Sequence, residues 1–190
     1  MPIVMYLGRN IKEYGEQSEE IIAEALSEEK LQCPICLRPM ARHSRYTRGI
    51  RETGQKIAIT VVWCSKCRDW HALLPDFLLP QKHYSGNEIE SVIIDSGSMG
   101  ISELETEASE STVRRWIRQV GERIRQASGI LKHLFRQAGV PLSEAAIEAG
   151  HCYSELEQIL GMAPQAVRSS GNKLGLANMW LRTNAPPASL

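Results

Sequence analysis

The chain has no excess of charge of either sign. Its 22 Lys and Arg residues balance 22 Asp and Glu, so no global attraction to nucleic acid or to a membrane surface can be argued. Aromatic residues are scarce, at 6%, which in a chain of 190 residues favours two or three small cores over a single large one. No apolar run is long enough to cross a bilayer, and residues 1–10 lack the basic start and apolar middle of a secretion signal. The expected location is the cytoplasm, with no membrane partner. Catalytic signatures are missing too. There is no phosphate-cradling glycine loop, no H-E-x-x-H, and no run of alternating strands after the cysteine-containing region to carry the carboxylates of a nuclease or transposase. Cys152 follows His151, but adjacency in sequence does not make a nucleophile and its base. The expected protein is a binder rather than an enzyme, with no small-molecule substrate.

What charge there is lies in blocks. Residues 1–32 carry three basic and seven acidic side chains, and residues 33–84 carry nine basic and three acidic. Residues 85–112 have seven acidic groups and no Lys or Arg, whereas residues 113–139 have seven basic and one acidic. Two basic islands between acidic flanks are the pattern of two anion-contacting surfaces on a neutral chain.

Four of the five cysteines fall in two C-x-x-C pairs, Cys33-Pro34-Ile35-Cys36 and Cys64-Ser65-Lys66-Cys67. In a reducing compartment such pairs read as metal ligands before disulfides. Four thiolates complete a tetrahedral shell that suits one Zn²⁺, and a closed shell leaves no position for water or substrate, so the expected ion is structural. A redox pair is the alternative for the cysteines, and His43, His71 or His83 could each replace one of them as a ligand. Between the pairs, Ile57, Ile59, Val61 and Trp63 alternate with Ala58, Thr60 and Val62, which predicts a strand. His43 to Ile50 supplies its partner, across a turn at Glu52-Thr53-Gly54-Gln55. Knuckle, hairpin, knuckle is the layout of a zinc ribbon, a unit too small to fold on apolar burial alone.

Downstream, Asn87 to Asp95 reads as a short helix, and Ile101, Leu104 and Ala108 suggest another. A stronger one follows Ser109, with Val113, Trp116, Ile117, Val120 and Ile124 on one face. Its opposite face collects Ser111, Thr112, Arg114, Arg115, Arg118 and Gln119, the residue types that meet base edges and phosphates. With Arg42, Arg45 and Arg48 of the first basic island, these are the candidate DNA contacts; a merely solvated charged face is the alternative for each group. Ile130, Leu131, Leu134 and Phe135 form an apolar stripe that serves either as core or as a dimer seam, and Pro141 closes the helix. Leu156 to Val167 reads as helix, glycine turn and helix, either a second helix-turn-helix over residues 154–175 or a packing subdomain.

The segment Ser109-Glu110-Ser111-Thr112-Val113-Arg114-Arg115-Trp116 resembles the recognition-helix signature of transposase-type helix-turn-helix domains. The two cysteine knuckles, with Trp63 before the second, and Leu74-Pro75-Asp76-Phe77-Leu78-Leu79-Pro80 are similar to bacterial zinc-ribbon proteins associated with mobile elements. The resemblance covers about residues 31–120 and implies DNA binding without a catalytic domain. It departs from the pattern in lacking a turn glycine and in crowding Glu103, Glu105 and Glu107 into the first helix.

The expected fold is α+β: a small zinc ribbon, a β-hairpin with two cysteine knuckles, followed by an all-α helix-turn-helix and a helical C-terminal region. The expected boundaries are an acidic helical segment at 1–30, the ribbon at 31–84, the helix-turn-helix with its extended helix at 85–138, a helical subdomain at 139–183 and a disordered tail at 184–190. The expected partner is double-stranded DNA, with a possible homodimer through the C-terminal helices, in a transcriptional regulator or a mobile-element accessory factor. A protein adaptor and an RNA-binding protein, the latter stacking bases on Tyr46 and Trp70, are the competing functions.

Overall fold

The computed structural model describes residues 2–137, 139, 152–162 and 169–184. Within them the chain forms β1 (Ile3–Met5), α1 (Ile11–Ser27), β2 (Ala41–Gly49), β3 (Lys56–Cys64), β4 (Asp69–Pro75), α2 (Gly86–Asp95), α3 (Glu110–Gln137), α4 (Cys152–Gly161) and α5 (Lys173–Asn184). A single 3₁₀ turn, Ile101–Glu103, lies between α2 and α3.

The class is α+β, but its first unit is not a two-stranded ribbon. The strands form one mixed sheet in the order β1-β4-β3-β2. β1 runs parallel to β4, pairing Ile3 with Leu73, Val4 with Leu74 and Met5 with Pro75. Pro75 has no N–H to give, and the ladder continues through Asp76 N–H, which donates to the Met5 carbonyl at 3.1 Å. Neither β1 nor β4 is legible as a strand in the sequence. Ile3–Met5 is too short for a period to show, and Asp69–Pro75 ends on proline.

Being central, β3 is covered on both sides. Ile57 and Ile59 are buried on one face and Thr60, Val62 and Cys64 on the other, while Ala58 is exposed and Val61 and Trp63 are half-buried, so burial is not confined to one face of the strand. β2 is the edge, exposed over Ala41–Thr47 with arginines along it, which discourages pairing with another chain. Its turn into β3 uses Gly54 at φ +65°, a conformation open to glycine at little cost. α1 lies on the sheet through Tyr14, Ser18 and Ile22, one face at i, i+4, i+8. The Tyr14 hydroxyl donates to the Ala58 carbonyl at 2.6 Å, and burial pushes its pKa up to about 12. The helix starts where Asn10 Oδ1 accepts from Glu13 N–H.

The second correction concerns the helix-turn-helix. Ile101, Leu104 and Ala108 do not form a helix: after the 3₁₀ turn, Leu104 is extended and residues 104–109 are irregular. Gly100 and the run Glu103-Leu104-Glu105-Thr106-Glu107 favour side-chain bonding over a continuous turn. Glu103 accepts from Gly100 N–H at 3.0 Å, and the Thr106 hydroxyl donates to Glu88 of α2. Without a first helix, α3 is a single 28-residue helix rather than the second half of a motif. Its apolar face, Val113, Trp116, Val120, Ile124, Ala127, Leu131 and Phe135, is core. Of the stripe Ile130, Leu131, Leu134 and Phe135, Leu131 and Phe135 share that core with Leu156 and Ile159 of α4, and Ile130 and Leu134 are half-buried.

The two cores meet at α5. Leu174, Ala177 and Leu181 belong to the helical core, Met179 belongs to the sheet core, and Leu176 packs on both. A single carboxylate organises this corner. Glu90 Oε2 accepts from the backbone N–H groups of Lys173 and Leu174 at 2.9 and 3.1 Å, satisfying the start of α5, while Oε1 accepts from the Tyr153 hydroxyl of α4 at 2.6 Å. α5 also approaches the backbone directly: a Cβ on Gly175 would fall 1.8 Å from the Asp76 carbonyl oxygen. Gly175→Ala should therefore separate α5 from the sheet and cost about 3 kcal/mol, measured by urea denaturation; unchanged stability would mean that α5 docks elsewhere.

Pro141, part of the 154–175 segment (residues 163–168) and residues 185–190 of the expected tail lie outside the described residues; Asn184 is the last residue of α5. Among the described residues no helix is long and apolar enough to cross a membrane.

Candidate metal centre and basic cleft

Each C-x-x-C pair folds as a tight knuckle with the same internal bonding. Leu37 N–H donates to the Cys33 carbonyl at 2.9 Å, and Arg68 N–H donates to the Cys64 carbonyl at 2.9 Å. Leu37 and Arg68, each just after its pair, are both left-handed, at φ 58° and 54°. Neither is glycine, so each knuckle holds its conformation against a cost of roughly 1–2 kcal/mol. One knuckle precedes β2 and the other joins β3 to β4, and sheet pairing brings them together.

The four Sγ atoms lie within 4.8 Å of one another. Cys33 and Cys67 are 3.8 Å apart, and Cys36 and Cys64 are 3.5 Å apart. These cysteines are close enough to bind a metal ion. Their protons are unevenly held. The backbone N–H of Cys67 pulls the Cys64 thiol down to about 7, whereas hydrogen bonding with Cys36 pushes Cys67 up to about 12 and burial raises Cys33. Of the three histidines that could have replaced a cysteine, His71 is buried with Nε2 3.8 Å from Cys33 Sγ. His43 instead meets Trp63 and Trp70 edge-on, and His83 lines a cleft.

That cleft, of about 670 Å³, opens between the sheet domain and α3. It is lined by Arg51 from the β2–β3 turn, Gln81, Lys82, His83 and Tyr84 after β4, and Thr112, Arg115, Trp116, Gln119, Glu122, Arg123 and Gln126 from α3. Arg51 N–H donates to the His83 carbonyl at 2.9 Å, tying two of the walls together. Tyr84 and Trp116, both buried, meet edge to face at 4.9 Å behind it and fix α3, the third wall, against the segment after β4. Burial and the nearby Arg123 and Arg115 lower the pKa of Lys82. Among the described residues no carboxylate forms an ion pair with Arg51, Lys82 or Arg115.

The nine expected DNA contacts separate into four groups. Thr112, Arg115 and Gln119 line the cleft. Ser111, Arg114 and Arg118 are exposed on α3 outside its lining, with Arg114 paired to Glu110 at 3.3 Å. Arg42 and Arg45 both reach across to Glu19 of α1. Arg48 is buried and donates to the carbonyls of Leu79 (2.8 Å) and Lys82, holding the segment that forms one wall of the cleft. Arg48→Met should remove the side-chain donor from both carbonyls, leaving Leu79 O with the Lys82 N–H at 3.3 Å, and cost about 2 kcal/mol, seen as a lower thermal midpoint; a stable Arg48→Met protein would return Arg48 to the list of contact residues.

Lys82 and Arg123 were not singled out from sequence. A signal for Arg123 existed: Thr112, Arg115, Gln119, Glu122 and Gln126 recur at spacings of three and four, a polar stripe beside the apolar one, and Arg123 adjoins it. Lys82 lies in an irregular segment where no period operates.

Residues 33–116 match a family model described as a domain of unknown function, DUF6431. No curated protein and no solved structure matches the chain. The matched segment begins on the first cysteine of the four-cysteine cluster and ends on Trp116, so it contains all four cysteines, the Lys82 wall and Arg115 while omitting β1, α1 and most of α3.

Proposed function

We propose that this chain is a non-enzymatic DNA-binding protein that lays the backbone of a duplex along the cleft between its sheet and α3. In this reading one zinc ion, held by Cys33, Cys36, Cys64 and Cys67, keeps the sheet in shape. The supporting observation is that Arg51, Lys82, His83, Arg115 and Arg123 converge on the cleft from three separate parts of the chain. Arg115 and Arg123 repel the Lys82 ammonium, adding to the effect of burial in lowering its pKa, and a polyanion relieves that repulsion. Thr112, Gln119 and Gln126 on the same wall offer donors and acceptors for phosphates or base edges.

Zinc suits the donor set. With Zn–S bonds of about 2.3 Å, a tetrahedron of sulfurs has edges of about 3.8 Å, against the 3.8 and 3.5 Å separations in the cluster. Bound there, the ion would supply folding free energy. Four sulfurs fill its shell, so no chemistry at the metal is part of the proposal.

The test is fluorescence anisotropy with a labelled mixed-sequence duplex over a range of salt. Binding whose logarithm falls linearly with the logarithm of salt concentration is the expected result. Absence of binding at low salt would overturn the reading in favour of the adaptor, for which the exposed Ile35 and Leu37 on the first knuckle, at 63% and 70% exposure, are the supporting feature.

A further inference from the structure

A second hollow, of about 480 Å³, adjoins the basic cleft and shares Gln81, Lys82 and His83 with it. Its remaining wall is sheet, including Tyr46 of β2 and Trp70, Ala72 and Leu74 of β4. Two of these aromatics are large and open, Trp70 at 55% and Tyr46 at 44% exposure. Trp70 is held firmly despite its exposure. It lies opposite Trp63 across the β3–β4 ladder, with ring centroids 5.3 Å apart, and the edge of His43 braces both indoles at 5.9 and 6.1 Å.

Two large exposed aromatics lining one hollow form a patch of the kind that marks an interaction site. The sheet needs no aromatic here for its own core, which is built from Ile59, Val62, Leu73 and their neighbours. The position of the surface narrows what can bind there. An apolar peptide would have to pass the Lys82 ammonium shared with the cleft, whereas a nucleic-acid strand brings anionic backbone to Lys82 and flat bases to Trp70 and Tyr46. Rigid aromatics beside a cationic track are the arrangement that takes unpaired bases. A base inside a duplex has both faces stacked already and cannot use such a platform.

We infer that the protein recognises DNA in which a duplex gives way to unpaired nucleotides, the duplex backbone lying in the cleft and the first unpaired bases stacking on Trp70 and Tyr46. The inference rests on the DNA-binding reading above and adds to it a preference for junctions over uninterrupted duplex. No base-specific contact is involved, so the preference is for the presence of the single strand and not for its sequence.

The experiment compares one labelled duplex, blunt or carrying a short single-stranded DNA overhang, against the full-length zinc-loaded protein, its Trp70→Ala and Trp70→Phe variants, and Tyr46→Ala, with thermal melts to check folding. One base–aromatic stack should make the overhang substrate bind roughly tenfold more tightly than the blunt one. Trp70→Ala should abolish that gain while leaving blunt-duplex affinity unchanged, and Trp70→Phe should keep most of it. Tyr46→Ala, which leaves the Trp63–Trp70 pair in place, reads the same preference should Trp70→Ala fold poorly, and should reduce the gain. Overhang binding without blunt-duplex binding would refute the duplex reading and leave the stacking surface standing. Blunt-duplex binding with no gain from the overhang, or equal losses on both substrates in Trp70→Ala, would overturn the inference and leave the cleft standing. Stronger competition by single-stranded RNA than by DNA of the same sequence would overturn the choice of DNA.

Discussion

Cys64→Ser should purify without stoichiometric zinc and without a cooperatively folded sheet, the largest change expected of any single substitution in this chain. Structural zinc in a tetrathiolate site contributes on the order of 10 kcal/mol of apparent binding energy at neutral pH, comparable with the whole stability of a small domain. Cys64 is buried at the end of the central strand and belongs to the sheet core with Cys33, Ile59 and Leu73, so losing the metal also disturbs packed apolar surface. A self-contained ribbon would confine the damage to residues 33–70. The sheet instead includes β1, carries α1 and receives Met179 of α5, so hydrogen exchange should show protection lost across β1, β3, β4 and the start of α1, and weakened in α5. The face of α3 that packs on α4 should stay protected, because Val120, Ile124 and Leu131 sit in the other core. Chelation under reducing conditions should reproduce the pattern. Acid should act in the same direction, since returning protons to the sulfurs competes with the metal. Full protection of β3 amides in the metal-free protein would show that the ion does not hold the sheet.

The cysteine cluster could be read from the sequence because its information is local. A C-x-x-C pair forms its knuckle within five residues, and the two knuckles flank a hairpin whose turn is marked by Gly54. The strand over Ile57–Trp63, observed as Lys56–Cys64, was equally visible from its period of two. Topology was not, because it depends on segments with weak signals of their own. Ile3–Met5 becomes a strand only because β4 offers it an edge, and the partner is some seventy residues away. The helix-turn-helix failed for a related reason. Apolar residues at 101, 104 and 108 have helical spacing, yet their segment is held by the side chains of Glu103 and Thr106. Charge patterning located the basic islands without saying which members were accessible. Arg48 is consumed by two backbone carbonyls, Arg42 and Arg45 by Glu19. Glu90, which starts α5 and anchors α4, was invisible because its partners lie more than sixty residues downstream.

Replacing Lys82, Arg115 and Arg123 together by alanine should nearly abolish duplex binding at moderate salt. If each cation meets one phosphate, the salt-dependence slope should shrink by roughly 2.7, about 0.9 for each phosphate no longer neutralised. At about 1.4 kcal/mol per phosphate, affinity should fall roughly a thousandfold. The control is Arg42→Ala, Arg45→Ala and Arg114→Ala combined: it removes the same formal charge from residues paired with Glu19 and Glu110. Because those cations are already partnered, the control should lose far less affinity and keep most of its slope. This comparison separates a located site from a diffuse effect of net charge, which on a neutral chain would make the two triple variants alike. Glu122 gives the opposite sign. Among the described residues it is the one acidic side chain lining the cleft, so Glu122→Gln should strengthen binding at low salt, and the gain should fade as screening increases. Equal losses in the two triple variants would refute the cleft as the binding site, even if DNA is bound.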